Sequence, residues 1–124
     1  MPTLTEGPRP GEFIMSEANW HRSRDVITIA AGAGKVPPNT VLGKVTASSK
    51  YVPSPATGSD GSQVGTVVSI YGVDATSVDV KVTVIARDAE INGKCLNYEA
   101  TVNDDTKKAA KATQLAAAGI IVRN

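Results

Sequence analysis

The sequence predicts a mainly β domain, a small barrel or sandwich, with one helix near its C-terminal end and an extended N-terminal arm. Three observations carry that expectation. Val78-Asp79-Val80-Lys81-Val82-Thr83-Val84 alternates apolar and polar residues without a break, which is the period of a strand with one buried face. Short β-branched runs recur elsewhere, separated by clusters of Gly, Pro, Ser and Asn. Only one stretch, Lys107 to Ala118, is rich in strong helix formers.

In chain order, residues 1 to 24 are read as the arm and residues 25 to 124 as the folded domain. Pro2, Gly7, Pro8, Pro10 and Gly11 oppose any regular element at the start. Glu12-Phe13-Ile14-Met15-Ser16 has strand character but no partner within hairpin distance, so a foreign surface is expected to cover it. Val26 to Ile29 opens the ordered part and ends at the turn Ala31-Gly32-Ala33-Gly34. Strands are expected at Val41 to Thr46, at Tyr51-Val52 and at Val64 to Tyr71. Pro53 to Ser62 between them is loop chemistry and is expected to be exposed. Asn103, Asp104 or Asp105 can cap the helix, and Gly119 stops it. Ala112, Leu115, Ala116 and Ala118 give that helix a small apolar face, and Ile120 to Val122 is a last short strand.

The composition narrows the function. At 124 residues one domain is the default, and 41% hydrophobic with 20% charged residues is ordinary for a folded soluble chain. Thirteen basic against twelve acidic residues give a net charge of +1, which argues against direct nucleic-acid or anionic-membrane binding. Met1 to Pro8 has no basic region and no apolar run of signal or membrane-span length, so synthesis in a cytosol-like compartment is expected. Cys95 is the single cysteine, so no intrachain disulfide forms and stability comes from packing or association. Phe13, Trp20, Tyr51, Tyr71 and Tyr98 are the only aromatics; a chain so poor in large rings gains from burying further surface between subunits.

Candidate chemistry is thin, and neither a catalytic site, a cofactor site nor a metal site is expected. His21 is the only histidine and lies in the arm, which leaves no histidine pair for a metal and no serine triad. Cys95, with Lys94 its only basic neighbour, reads as a small half-buried thiol rather than a nucleophile. Ala31-Gly32-Ala33-Gly34-Lys35 superficially has phosphate-loop composition, but the spacing is short, no Ser or Thr follows Lys35, and Pro37-Pro38 opposes the required helix. Asp88 and Glu90 are read as carboxylates on a solvated strand edge, and Lys107, Lys108 and Lys111, beside Asp104 and Asp105, as a solvated helix face.

Glu6 to Asn19, reading EGPRPGEFIMSEAN, followed by Arg22-Ser23-Arg24-Asp25, resembles the opening of phage head decoration proteins of the lambdoid type. The resemblance continues through Thr40 to Val45, Lys50 to Pro53, Asp60 to Gln63, Ala86 to Glu90 and Leu115 to Arg123. It departs at Asn92 to Tyr98, which lacks the tryptophan of that segment and carries Tyr98 instead. The resemblance implies a tulip-like, β-rich homotrimer seated on the outer surface of an expanded capsid, with an arm that becomes ordered on the shell. Its partner is the major capsid protein. Its work is cementing the head against internal genome pressure, without turnover. Glu6, Pro8, Pro10, Gly11, Glu12, Phe13, Ile14, Met15 and Ser16 are the expected capsid-binding residues, with Glu12 to Ser16 adding a strand to a capsid sheet edge. Burying Phe13, Ile14 and Met15 there would contribute about 1.5–3 kcal/mol each before ordering costs. The rivals are a carbohydrate- or receptor-binding module on a virion surface, using Pro53 to Ser62, and a small trimeric β-fold enzyme.

Overall fold

The computed structural model describes residues 9–123, except the side chains of Trp20 and His21. The fold is mainly β. In chain order its elements are β1 (Ile14–Glu17), a short α1 (Trp20–Ser23), β2 (Arg24–Ile29), β3 (Gly34–Val36), β4 (Val41–Lys44), β5 (Tyr51–Pro53), β6 (Gly65–Ser69), β7 (Val73–Ala75), β8 (Val80–Ile85), β9 (Ala89–Asn92), a 3-10 turn at Gly93–Cys95, α2 (Asp105–Ala117) and β10 (Ile120–Arg123).

Five strands close a barrel in the order β2-β5-β4-β6-β8. Its longest ladder is the antiparallel pair β2 and β8, in register from Arg24 opposite Ile85 to Ile29 opposite Val80. Ile29, Leu42, Val67, Val82 and Val84 pack together as one core with Val36 and Ala75 from the β3–β7 pair. Their chain neighbours Val41, Val68 and Ile85 belong to a second core with Phe13, Ile91, Leu115 and Ile120. Because successive strand side chains point to opposite faces, this wall of the barrel is buried on both sides. That explains the doubled apolar pairs Val41-Leu42, Val67-Val68 and Val84-Ile85, which a one-faced strand would not carry.

The second core is roofed by a three-stranded sheet in the order β1-β9-β10 and by α2. β1 runs antiparallel to β9, and β10 parallel to it. Asp104 caps α2, its carboxylate accepting from the Lys107 amide at 2.8 Å. Gly119, at φ +89°, takes the left-handed turn that ends the helix and launches β10.

Three expectations need correction. Glu12 to Ser16 does have a partner in its own chain: Ile14 lies opposite Ile91 and Ser16 opposite Glu90. The two strands are distant in sequence, so a search confined to hairpin distance misses them. The boundary at residue 24 therefore falls inside the folded body, which begins by Phe13. Second, Ala116 is exposed and Ala112 and Ala118 only half-buried; the helix face that packs fully is Lys111 with Leu115, one turn apart. Third, Pro53 to Ser62 is not wholly exposed. Ser54 and Ser62 are buried, and the loop folds so tightly over β4 that a Cβ on Gly43 would collide with the Ser62 carbonyl oxygen.

Candidate functional site

Of the nine residues expected to bind capsid, Glu6 and Pro8 lie outside the described residues, and the other seven are brought together at the root of the leader. Pro10 and Glu12 are exposed and Gly11 half-buried. A turn closes there, the Glu12 amide donating to the Arg9 carbonyl at 3.3 Å and the Ile14 amide to Gly11 at 3.1 Å. Gly11 takes φ +76°, with Ile70 and Ile14 beneath it.

Phe13 differs from its neighbours. It is fully buried in the second core, and its carbonyl accepts from the Asn92 amide at 2.7 Å. In this fold it anchors the root rather than facing outward. Ile14 packs against the same core. A bulge between Ile14 and Ser16 then displaces Met15, which is 60% exposed. Met15 and Ser16 are thus the outward side chains of a strand that ends its sheet. Ser16 Oγ donates to Glu90 Oε2 at 2.9 Å.

The strand is locked at its far end. Glu17 accepts a two-pronged bond from Arg24, with Nη2 at 2.6 Å and Nε at 3.0 and 3.1 Å, and a third donor, Ser23 Oγ, at 2.6 Å. The Arg24 guanidinium holds the Glu17 carboxyl below its usual range, only partly opposed by burial. β1, α1 and β2 are thereby fastened into one loop.

Asn39 closes the leader from the barrel side. Its Nδ2 donates to the Arg9 carbonyl at 3.0 Å and to Glu12 Oε1 at 3.3 Å. Sequence reasoning missed this residue; the available signal was an asparagine directly after Pro37-Pro38, since Asn tolerates left-handed backbone better than most residues.

The carboxylates read as a solvated edge sit elsewhere. Glu90 is on β9, the central strand of its sheet, where Arg123 donates to it through Nε at 3.0 Å and Nη2 at 2.8 Å. Arg123, with Ser16 next, holds its carboxyl below the ordinary value. Asp88 is exposed, in the left-handed turn before β9 at φ +52°. Cys95 is half-buried against the second core, in the 3-10 turn. Tyr98 is half-buried against the same core, and the Lys108 ammonium sits 5.6 Å from its ring centroid. Ala31 to Gly34 is a turn leading into β3, as its composition indicates. The side chain of His21 lies outside the description.

Lys111 overturns the reading of a solvated basic face. Its side chain is fully buried, and Nζ donates to Ser54 Oγ at 2.8 Å, the Pro55 carbonyl at 2.6 Å and the Gln63 carbonyl at 2.5 Å. All three ammonium donors are used. Burial pushes this lysine's pKa down, and the Glu99 carboxylate partly restores it. Lys107 and Lys108 remain at the surface, half-buried and exposed respectively.

The family model for bacteriophage lambda head decoration protein D matches residues 3–120 of the chain. The chain belongs to that family. Among curated proteins no sequence matches it. As a head decoration protein it has a role in decorating the phage capsid, and its place is the virion head. The family is a structural class and not a class of enzymes. The match takes in the leader root, the barrel, α2 and the first residue of β10, so every side chain of the leader-root site falls inside it.

Proposed function

We propose that this head decoration protein is a cement. Three copies associate, seat on the outer surface of the expanded shell, and use their leaders to bind the major capsid protein. In doing so they bridge capsid subunits against the pressure of the packaged genome. The observation that carries this reading is β1, among the described residues a strand at the end of its sheet, rooted by the buried Phe13 and presenting the exposed Met15. Such an edge offers unpaired backbone groups to a foreign strand.

The capsid contact then divides by position. Glu6, Pro8, Pro10, Gly11, Glu12, Met15 and Ser16 touch the shell, while Phe13 and Ile14 hold the contact at a fixed place on the body. A pre-rooted leader loses less freedom on binding than a wholly free one. Three such leaders on one rigid body raise the effective concentration of each, so modest single contacts become a long-lived clamp. Val26 and Val78, 65% and 62% exposed, supply apolar surface for association with other copies.

The test is removal of residues 2–12, a cut that spares Phe13. The shortened protein is expected to fold and to remain a trimer by light scattering, yet to stay in the supernatant when expanded empty heads are pelleted. Undiminished co-sedimentation would refute the leader's role, and a monomer under all conditions would refute the clamp.

A further inference from the structure

We propose that Asn39 is the positioning residue of the leader: its side chain fastens Arg9 and Glu12 to the barrel and so sets the direction in which the leader meets the capsid. The inference rests on the capsid-binding reading above and names the residue that makes it geometrically specific.

Asn39 has two separate sets of bonds. Its backbone serves the body, the amide donating to the Ser69 carbonyl at 2.8 Å and the carbonyl accepting from the Asn97 amide at 2.8 Å. Its side chain serves the leader, both donor contacts from Nδ2 going to Arg9 and Glu12. Two acceptors facing one end of the amide fix which end carries the nitrogen. The Arg9 carbonyl accepts from Asn39 and also from the Glu12 amide, so one side chain closes the leader's turn and ties it down.

The residue is otherwise unfavourable for stability. It is fully buried and left-handed at φ +66°, and its Oδ1 is buried with no hydrogen-bond partner among the described residues. A glycine would take the same backbone more easily, leave no orphaned oxygen and keep the backbone bonds. What a glycine could not do is hold Arg9 and Glu12. Strain kept at the point where the root of the leader joins the barrel points to a role in holding that root.

The experiment uses the full chain with Asn39→Gly, Asn39→Asp, and Asn39→Asp combined with Glu12→Gln. In the glycine variant the fold and the trimer persist, amide exchange at Glu12 and Ile14 speeds up about tenfold, and attachment to expanded heads weakens about tenfold. The aspartate variant, whose carboxylate faces the Arg9 carbonyl and the Glu12 carboxylate, behaves likewise. Adding Glu12→Gln, whose amide can donate to the new carboxylate, restores part of both. A residue that merely stabilised the body would lower the melting temperature without this rescue. Unchanged exchange at Glu12 and Ile14 in both single variants overturns the proposal. So does undiminished attachment of Asn39→Gly when removal of residues 2–12 abolishes it. If that removal itself leaves attachment intact, the leader takes no part in attachment, and the proposal fails with the leader's role.

Discussion

Lys111 and Ser54 stand 57 residues apart in the chain, and the Lys111 ammonium donates to the buried Ser54 hydroxyl at 2.8 Å. The same nitrogen holds the carbonyls of Pro55 and Gln63. A single charge thus binds both ends of the 54–63 loop to α2, much as a bound cation would. Lys111→Met fills the same space but leaves three acceptors without their donor, at about 1–3 kcal/mol for each buried group that water does not reach. Release from the burial of a charge offsets part of that. The expected net loss is about 2 kcal/mol by urea denaturation, with limited proteolysis newly cutting between residues 55 and 61. A variant as stable and as resistant as the parent would show that the loop holds itself.

Phe13→Ala removes the largest apolar side chain of the second core. Truncating a fully buried phenylalanine costs about 3–5 kcal/mol, and Phe13 is 0% exposed. Because its carbonyl also accepts from Asn92, the loss is expected to be felt first in β1. Exchange of the Ile14 to Glu17 amides should accelerate more than that of β8. Uniform acceleration across the fold would mean that β1 is not a separately loosened element.

What the sequence disclosed and what it withheld divide along range. Val80 to Ile85 shows its strand in its own alternation, and Asp104 and Gly119 mark the ends of α2, because these signals lie within a few residues. The pairing of Ile14 with Ile91, the burial of Phe13 and the seat of Lys111 are decided by groups tens of residues away. No local pattern reports those. Lys111 is the sharper case: among Lys107, Lys108 and Asp105 its surroundings in sequence are those of a wet helix face, and only the loop returning over β4 makes it a core residue. β3 and β7, three residues each, are too short to show a period at all.

Glu17 gives the pH dependence. Its carboxyl is held low in the folded state by Arg24, so the folded protein binds that proton less readily than the unfolded chain. The stabilisation is therefore complete above the ordinary glutamate range and is lost as pH falls through that range and on through the lowered folded-state value. Glu17→Gln should be less stable than the parent by about 1–3 kcal/mol at pH 7, and the gap should narrow steadily on acidification. Denaturation curves at several pH values decide it; a gap independent of pH would assign the loss to packing.

Met15 separates attachment from folding. It is 60% exposed at the bulge of β1, so Met15→Asp is expected to alter folding stability by no more than about 0.5 kcal/mol. If β1 is the edge that the capsid strand joins, the same change sets a charge in a surface that becomes dry on binding, and removes an apolar contribution of about 1.5–3 kcal/mol. Attachment to expanded heads should then weaken tenfold or more, since about 1.4 kcal/mol is a factor of ten. Ser59→Asp, in the exposed part of the 53–62 loop, introduces the same charge away from the leader and should leave attachment as it was. Equal loss from both changes would point to general repulsion by the shell, and no loss from Met15→Asp would move the contact off β1 and onto the leader alone.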